Sequence, residues 1–420
     1  MSGVHDKYDK LSIVRALLLR SNDNRNPEFC LPETTAVKSA WTPASKLPTV
    51  GTTIFTVIGQ LAEEHQALNL SQGAPNFACD PKLVESAARA MRAGHNQYAP
   101  MSGVLALREA LALKTEQLYG AHYDPGSEIT VVASASEGLY ASISALVHPG
   151  DEVIYFEPSF DSYGPIVQLQ GATPIPIKLS PVDFHIDWDE VAAAITPRTR
   201  MIIVNSPHNP SGSAFTLEDI NRLTALTRDS KIIVLSDEVY EHVVFDGALH
   251  HSMARYPALA ERSVIVSSFG KSYHVTGWRV GFTLAPAELT NEIRKVHQFM
   301  TFAADTPMQM AFAEALGDAS SYLGLGAFYQ KKRDILAEAL SGSRFELLPS
   351  AGSFFMLARF GAFSDESDSD FVLRLIRETR VATIPLSAFY TDGTDNRIIR
   401  LSFAKDDDTL QEGARRLCAV

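Results

Sequence analysis

Cysteine is scarce. The 420 residues hold three, Cys30, Cys79 and Cys418. Their odd number and wide spacing exclude a disulfide framework and a zinc-ligand spacing, and fit a reducing compartment, here expected to be the cytoplasm. Basic residues are in deficit, 37 Lys and Arg against 49 Asp and Glu, for a net charge of −12. That balance argues against nucleic acid or an anionic membrane surface as the main partner. No stretch approaches the roughly 18 apolar residues of a membrane span. The apolar run at 11–19 is broken by Arg15 and flanked by Asp6, Asp9 and Asp23. It lacks the pattern of a secretory signal or transit peptide and reads as a short surface helix or tail. No internal repeat is visible. The His250-His251 pair has no companion at ligand spacing, so no metal is expected. The acidic run 364–370 reads as a solvated loop that ends in a helix cap ahead of Phe371.

What is present is an ordinary globular composition, 45% hydrophobic and 20% charged, in a chain long enough for two or three domains. Residues 1–41 are polar and weakly patterned and read as an extension. Residues 42–79 read as an arm and a helix that pack on the last domain. From 80 to 310, short apolar β-branched runs (129–133, 152–156, 201–204, 232–235, 264–266) alternate with helical segments. That alternation predicts an α/β fold whose large domain is a mostly parallel sheet covered by helices on both faces. From 311 to 420 the pattern predicts a smaller α+β domain.

In an open α/β sheet, ligands bind beyond the carboxyl ends of the strands. Ser134-Ala135-Ser136 follows the first run and opens a helix, an arrangement that suits a phosphate. Phe160 follows the second and can stack on a planar ring. Asn209 sits in a proline-rich turn after the third, its amide free to donate to an oxygen. Asp237 ends the fourth, where a buried carboxylate needs a cation, and Tyr240 follows closely. Lys271 follows the fifth among serines, glycine and aromatics, with Arg279 nearby. Burial there lowers a lysine pKa and makes the amine a nucleophile for Schiff-base chemistry. A ligand with a phosphate, a planar ring, a basic ring nitrogen, a phenolic oxygen and an aldehyde suits all five positions. Pyridoxal 5′-phosphate has these groups.

The stretch SSFGKSYHVTGWRVGF, with NSPHNPSG, SDEVY and NQYAPMSG, resembles the class I/II aminotransferases of the aspartate aminotransferase superfamily, fold type I. Segments such as SKLPTVGTTIF, LNLSQGAPNF and IPLSAFY are similar to the methionine aminotransferase group, which is close to the kynurenine and glutamine transaminases. The resemblance implies that Lys271 carries pyridoxal phosphate and moves the substrate proton, while Asp237 pairs with the ring nitrogen. It implies that Tyr240 and Asn209 bond the ring oxygen and that Phe160 stacks on the ring. Ser134, Ala135, Ser136, Ser268 and Arg279 would hold the phosphate, with Tyr98 reaching it from the other subunit of a homodimer. Arg400 would bind the substrate carboxylate, helped by Gly73 and Asn209.

The expected activity is transfer of an amino group from methionine, or another apolar or aromatic amino acid, to a 2-oxo acid. Phe55, Phe302 and Phe389 are candidates for an apolar side-chain pocket. Kynurenine or glutamine transamination and β-elimination from cysteine S-conjugates are the alternatives on the same fold. A non-catalytic regulator fits worst, because residues 1–40 are too few for a DNA-binding module.

Overall fold

The computed structural model describes residues 39 and 41–420; the 11–19 segment and Cys30 lie outside them. The strands are β1 Leu68–Asn69, β2 Ile129–Val132, β3 Glu152–Glu157, β4 Thr173–Lys178, β5 Thr199–Asn205, β6 Ile233–Asp237, β7 Ser263–Ser268, β8 Gly281–Leu284, β9 Glu346–Leu347, β10 Phe355–Arg359, β11 Val381–Ala382, β12 Ile384–Pro385 and β13 Ile398–Ser402. Seven of them form one sheet in the order β2-β8-β7-β6-β5-β3-β4. Every neighbouring pair is parallel except those made by β8, which runs against β2 and β7.

Alternation along the central strands explains their continuous apolar character. On β5, Met201 and Ile203 pack with Leu139, Ile143 and Ile293 under helices Ala135–Leu146 and Ala287–Met300. Ile202 and Val204 point the other way, into the cluster holding Phe156, Ile220 and Leu223. Both faces are buried, so no polar residue interrupts the run.

Two strands of this sheet escape the sequence pattern. β4 (TPIPIK) carries Pro174 and Pro176, which a sheet tolerates at its edge, where β4 lies. β8 begins at Gly281, inside the lysine motif. A Cβ there would lie 2.7 Å from Ala135 N and from Ser267 O, so only glycine lets β8 pass the start of the helix.

The C-terminal sequence forms a four-stranded antiparallel sheet, β12-β13-β10-β9, and its β11 pairs in parallel with β1 of the arm segment. Helix Ile54–Glu64 packs on β11 and β12, which ties the arm to the last third of the chain. The acidic run departs from expectation. Ser367 caps helix Asp368–Glu378, and Asp368 is buried, taking the Ser387 N–H at 2.7 Å and the Ser387 hydroxyl at 2.6 Å. The run is thus only partly a solvated loop: one of its carboxylates fastens the segment that follows β12.

Below the carboxyl edge of the large sheet lies a buried ion pair, Lys114 Nζ to Glu241 Oε1 at 2.7 Å. Glu241 also accepts from Tyr119 Oη at 2.7 Å and Ser267 Oγ at 3.1 Å. Burial opposes its charge, yet Lys114 and these hydrogen bonds hold its carboxyl well below the usual range. Its contribution to stability is therefore present above the ordinary carboxyl pKa and lost only as pH falls through the lower folded value. Lys114→Met strands this carboxylate and is expected to cost about 3 kcal/mol in denaturant unfolding. Adding Glu241→Leu to that variant should restore part of the loss. An equal loss in the double variant would show that the pair is not what the stability depends on.

Candidate active site

The parallel strands all end at one edge of the sheet, and their following residues enclose a cavity of about 240 Å³. Ser134, Ala135, Ser136, Phe160, Asn209, Asp237, Tyr240, Ser268, Lys271 and Arg279 all line it. Ser134 stands at the N-cap of helix Ala135–Leu146 with φ +82°. This aims the free N–H groups of the first turn at the cavity. Ser268 caps the one-turn helix Phe269–Ser272, which carries Lys271. Because β8 is antiparallel, its N-terminal end lies at the same edge, and Arg279 arrives there just before it.

Asp237 is the last residue of β6. Its Oδ2 accepts the Tyr163 hydroxyl at 2.7 Å, and its main-chain carbonyl accepts Asn205 Nδ2 at 2.9 Å. Burial pushes its carboxyl up to about 6, against the pull of Tyr163, the Val239 N–H and Lys271. A cation is what this carboxylate lacks. Lys271 Nζ donates to Gly73 O at 2.8 Å. Burial, then the charges of Arg400 and Arg279, bring its pKa down to about 8, while Asp237 pulls the other way.

Arg400 is fully buried on β13. It donates to Asn209 Oδ1 at 2.8 Å and to Ser71 O at 2.7 Å. Its Cζ lies 3.9 Å from the Phe355 ring centre, 4.8 Å from Phe389 and 5.3 Å from Phe55. Among the described residues no carboxylate forms a salt bridge with it, and its buried Nε has no partner. Its charge and its Nε donor are thus left uncompensated by the side chains around it. Because Asn209 gives its oxygen to Arg400, its NH₂ is left for the cavity.

Gly73 stands between the two. A Cβ there would lie 2.6 Å from Phe355 Cζ and 3.6 Å from Tyr240 Oη. Arg400 holds Ser71 O, Lys271 holds Gly73 O, and Lys405 Nζ holds Ala74 O at 2.7 Å. Three cations thus fix the strap 71–74 through its carbonyls. Tyr98 is outside the cavity, 85% exposed, with its ring edge-on to Phe302 at 5.5 Å. Within one chain Phe302 stands with Tyr98, apart from the other two candidate pocket aromatics: Phe55 and Phe389 lie 5.9 Å apart beside Arg400. Tyr163, Asn205 and Lys405 were not singled out from the sequence. Tyr163 follows Phe160 by one helical step, which is the only local signal for it.

Comparison with known proteins matches residues 65–417 to the family described as aminotransferase class I and II. The chain belongs to that family. It is 50% identical over 376 residues to the methionine aminotransferase of Escherichia coli, covering 89% of this chain and 97% of that one. It is 32% identical over 395 residues to mouse kynurenine–oxoglutarate transaminase 1, covering 86% and 93%. Superposition on N-succinyldiaminopimelate aminotransferase from Mycobacterium tuberculosis gives a TM-score of 0.87 at 36% identity, over 90% of this chain and all of that one. An E. coli crystal structure assigned a methionine aminotransferase function gives 0.88 at 50% identity, over 90% and 100%.

The aminotransferase has a fold type I architecture, acts on an amino acid and a 2-oxo acid, and uses pyridoxal 5′-phosphate. The cavity suits that molecule: its lining combines a helix N-terminus with Ser134 and Ser136, the Ser268 hydroxyl, Arg279, the buried carboxylate of Asp237 and Lys271. No helix among the described residues is long and apolar enough to cross a membrane, and no His, Cys, Asp and Glu group among them is arranged to hold a metal.

The lowered pKa of Lys271 gives a direct test. In cofactor-free enzyme, its carbamylation by cyanate, followed by peptide mass spectrometry, should reach half its limiting rate near pH 8. About half the amine is then neutral, against roughly 0.3% for an ordinary lysine at that pH. A midpoint above pH 10 would remove the electrostatic account of Lys271.

Proposed function

We propose that the amino donor is methionine or another amino acid with an apolar or aromatic side chain. The observation that carries this is the aromatic collar on Arg400: the one buried guanidinium at the site is surrounded by Phe55, Phe355 and Phe389. The 50% identity to a methionine aminotransferase supports the same choice.

In this reading the substrate carboxylate pairs with Arg400, using donors that Asn209 and Ser71 leave free, and takes the Gly73 N–H. Water is excluded by the phenyl rings, which strengthens the pair. When bound, pyridoxal phosphate supplies an aldehyde to carry the amino group and a protonated ring to draw off electrons. Asp237, held by Tyr163, keeps the ring nitrogen protonated. Tyr240 Oη and Asn209 Nδ2 bond the ring oxygen, and Phe160 covers the ring. Ser134, Ala135, Ser136, Ser268 and Arg279 hold the phosphate. Lys271 Nζ takes the proton from the substrate Cα and hands it on. A nitrogen with pKa about 8 is neutral often enough near neutral pH to act as base and acidic enough to return the proton.

The exposed Tyr98 and Phe302 pair is read as part of a homodimer interface in which Tyr98 reaches the other subunit's phosphate. A cytoplasmic location is part of the same reading, as is a division into a large domain at 80–310 and a small one at 311–420, preceded by the arm at 42–79 and the extension at 1–41.

Methionine added to the yellow holoenzyme should bleach its near-visible band, and a monocarboxylic 2-oxo acid should restore it. Arg400→Lys should lower kcat/KM for methionine about 100-fold, since a point charge does not replace a planar fork. A band indifferent to methionine but bleached by kynurenine or glutamine would reassign the donor. Sedimentation should give a dimer, and Tyr98→Phe should weaken retention of the cofactor on dialysis.

A further inference from the structure

An open groove of about 640 Å³ runs beside the active-site cavity. Its walls are the arm at 49–57, the segment after β3 with helix Tyr163–Leu169, and residues 388–391. Groove and cavity adjoin through neighbouring residues. Phe160 lines the cavity, and the next residue, Asp161, lines the groove. Phe389 lines the groove while its ring lies 4.8 Å from Arg400 Cζ. Ser159 N donates to Phe389 O at 2.9 Å, which fastens the two walls together.

The groove has charge of one sign. Among the described residues that line it, the charged ones are Glu157 and Asp161, and no Lys, Arg or His joins them. Glu157 is occupied: it accepts the Thr391 N–H at 3.0 Å, the Thr391 hydroxyl, and Tyr155 Oη at 3.3 Å. Asp161 accepts its own backbone N–H and no hydrogen bond from another described residue. Burial raises its carboxyl pKa while the Arg400 charge lowers it, so the two groups sense one another without forming a salt bridge.

We infer that Asp161 is a specificity-determining residue: through it the acidic groove rejects donors and acceptors with a second carboxylate, so the enzyme works between monocarboxylic amino acids and monocarboxylic 2-oxo acids. The inference rests on Arg400 as the ligand of the α-carboxylate. With that end fixed, a side chain leaving past Phe389 runs toward Asp161. A carboxylate at its tip loses water, finds no cation and meets a like charge. A thioether or phenyl ring loses nothing on the same path. The donor and the 2-oxo acid share this path, so one residue sets the choice in both half-reactions.

The test uses holoenzyme and single-turnover spectra. Bleaching by methionine is compared with bleaching by glutamate, and recovery with 2-oxobutanoate is compared with recovery with 2-oxoglutarate. Each monocarboxylic acid should react at least tenfold faster, as kcat/KM, than its dicarboxylic counterpart. Asp161→Asn should shrink both ratios about tenfold, through the dicarboxylic acids, and Asp161→Glu should keep them. The ratio within each protein is the readout, so a general loss of activity in a variant does not disturb it. Phenylalanine replaces methionine if methionine is not the donor, which separates this inference from the choice of donor. Equal use of glutamate or 2-oxoglutarate by the unmodified enzyme would overturn it, as when a second copy of the chain brings a cation into the groove. Ratios unmoved by Asp161→Asn would overturn the role of Asp161.

Discussion

The site depends on a surplus of positive charge that no carboxylate among the described residues pairs with directly. Lys271, Arg400 and Lys405 converge on the strap 71–74, and Asp237 is the acidic side chain that joins them around the cavity. Neutral carbonyls, three from the backbone and one from the Asn209 side chain, accept the hydrogen bonds of these cations. A carbonyl satisfies a donor without cancelling its charge, so each cation stays available to an anionic ligand. The same arrangement keeps Lys271 near pH 8: a carboxylate in place of Gly73 O would raise its pKa and leave a poor nucleophile. Folding tolerates this because the strap is fastened elsewhere. Asp406 N donates to Asn76 Oδ1 at 2.7 Å, and Asn76 Nδ2 donates to Thr409 at 3.1 Å, which bind the strap to the last helix.

Sheet topology converts five separate sequence signals into one site. Parallel strands place their following loops on one edge, so residues far apart in sequence meet without a dedicated motif. Strand order then sets neighbours. β5, β6 and β7 are adjacent, which brings the Asn209 turn, Asp237 and the Lys271 helix side by side. The reversal of β8 returns Arg279 to that edge after the chain has already left it. The buried Lys114–Glu241 pair lies under the junction, where Ser267, next to the cap of the lysine helix, shares the same carboxylate.

Much of this was legible in the sequence because period-2 and period-3.6 patterns report burial, and burial on both faces makes the central strands stand out. What stayed hidden depended on partners distant in the chain. β4 was masked by prolines that only an edge position permits. β8 was masked by a short, glycine-led sequence that packing requires. Asp368 read as solvated because nothing local says that Ser387 will cover it. Tyr163 orders Asp237 across 74 residues, and Lys405 reaches Ala74 across 331. Phe302 belonged by type with Phe55 and Phe389, and only the fold assigns it to Tyr98.

With Arg400 as the proposed ligand of the α-carboxylate, the site separates recognition of the common end of its substrates from recognition of the variable end. Its guanidinium is immobilised by two hydrogen bonds and by rings packed against it, so its rotamer entropy is spent before a ligand arrives. Its orphan Nε marks an unmet demand, which on the proposed binding mode any α-carboxylate satisfies equally. Affinity at this end cannot discriminate among amino acids. Discrimination must come from what lies beyond the collar, and there the groove is acidic on the walls this chain provides. The two features are opposite in sign and joined by Phe389, so on the proposed binding mode a substrate is tested twice along its length: once for an anion it must have, and once for an anion it must lack.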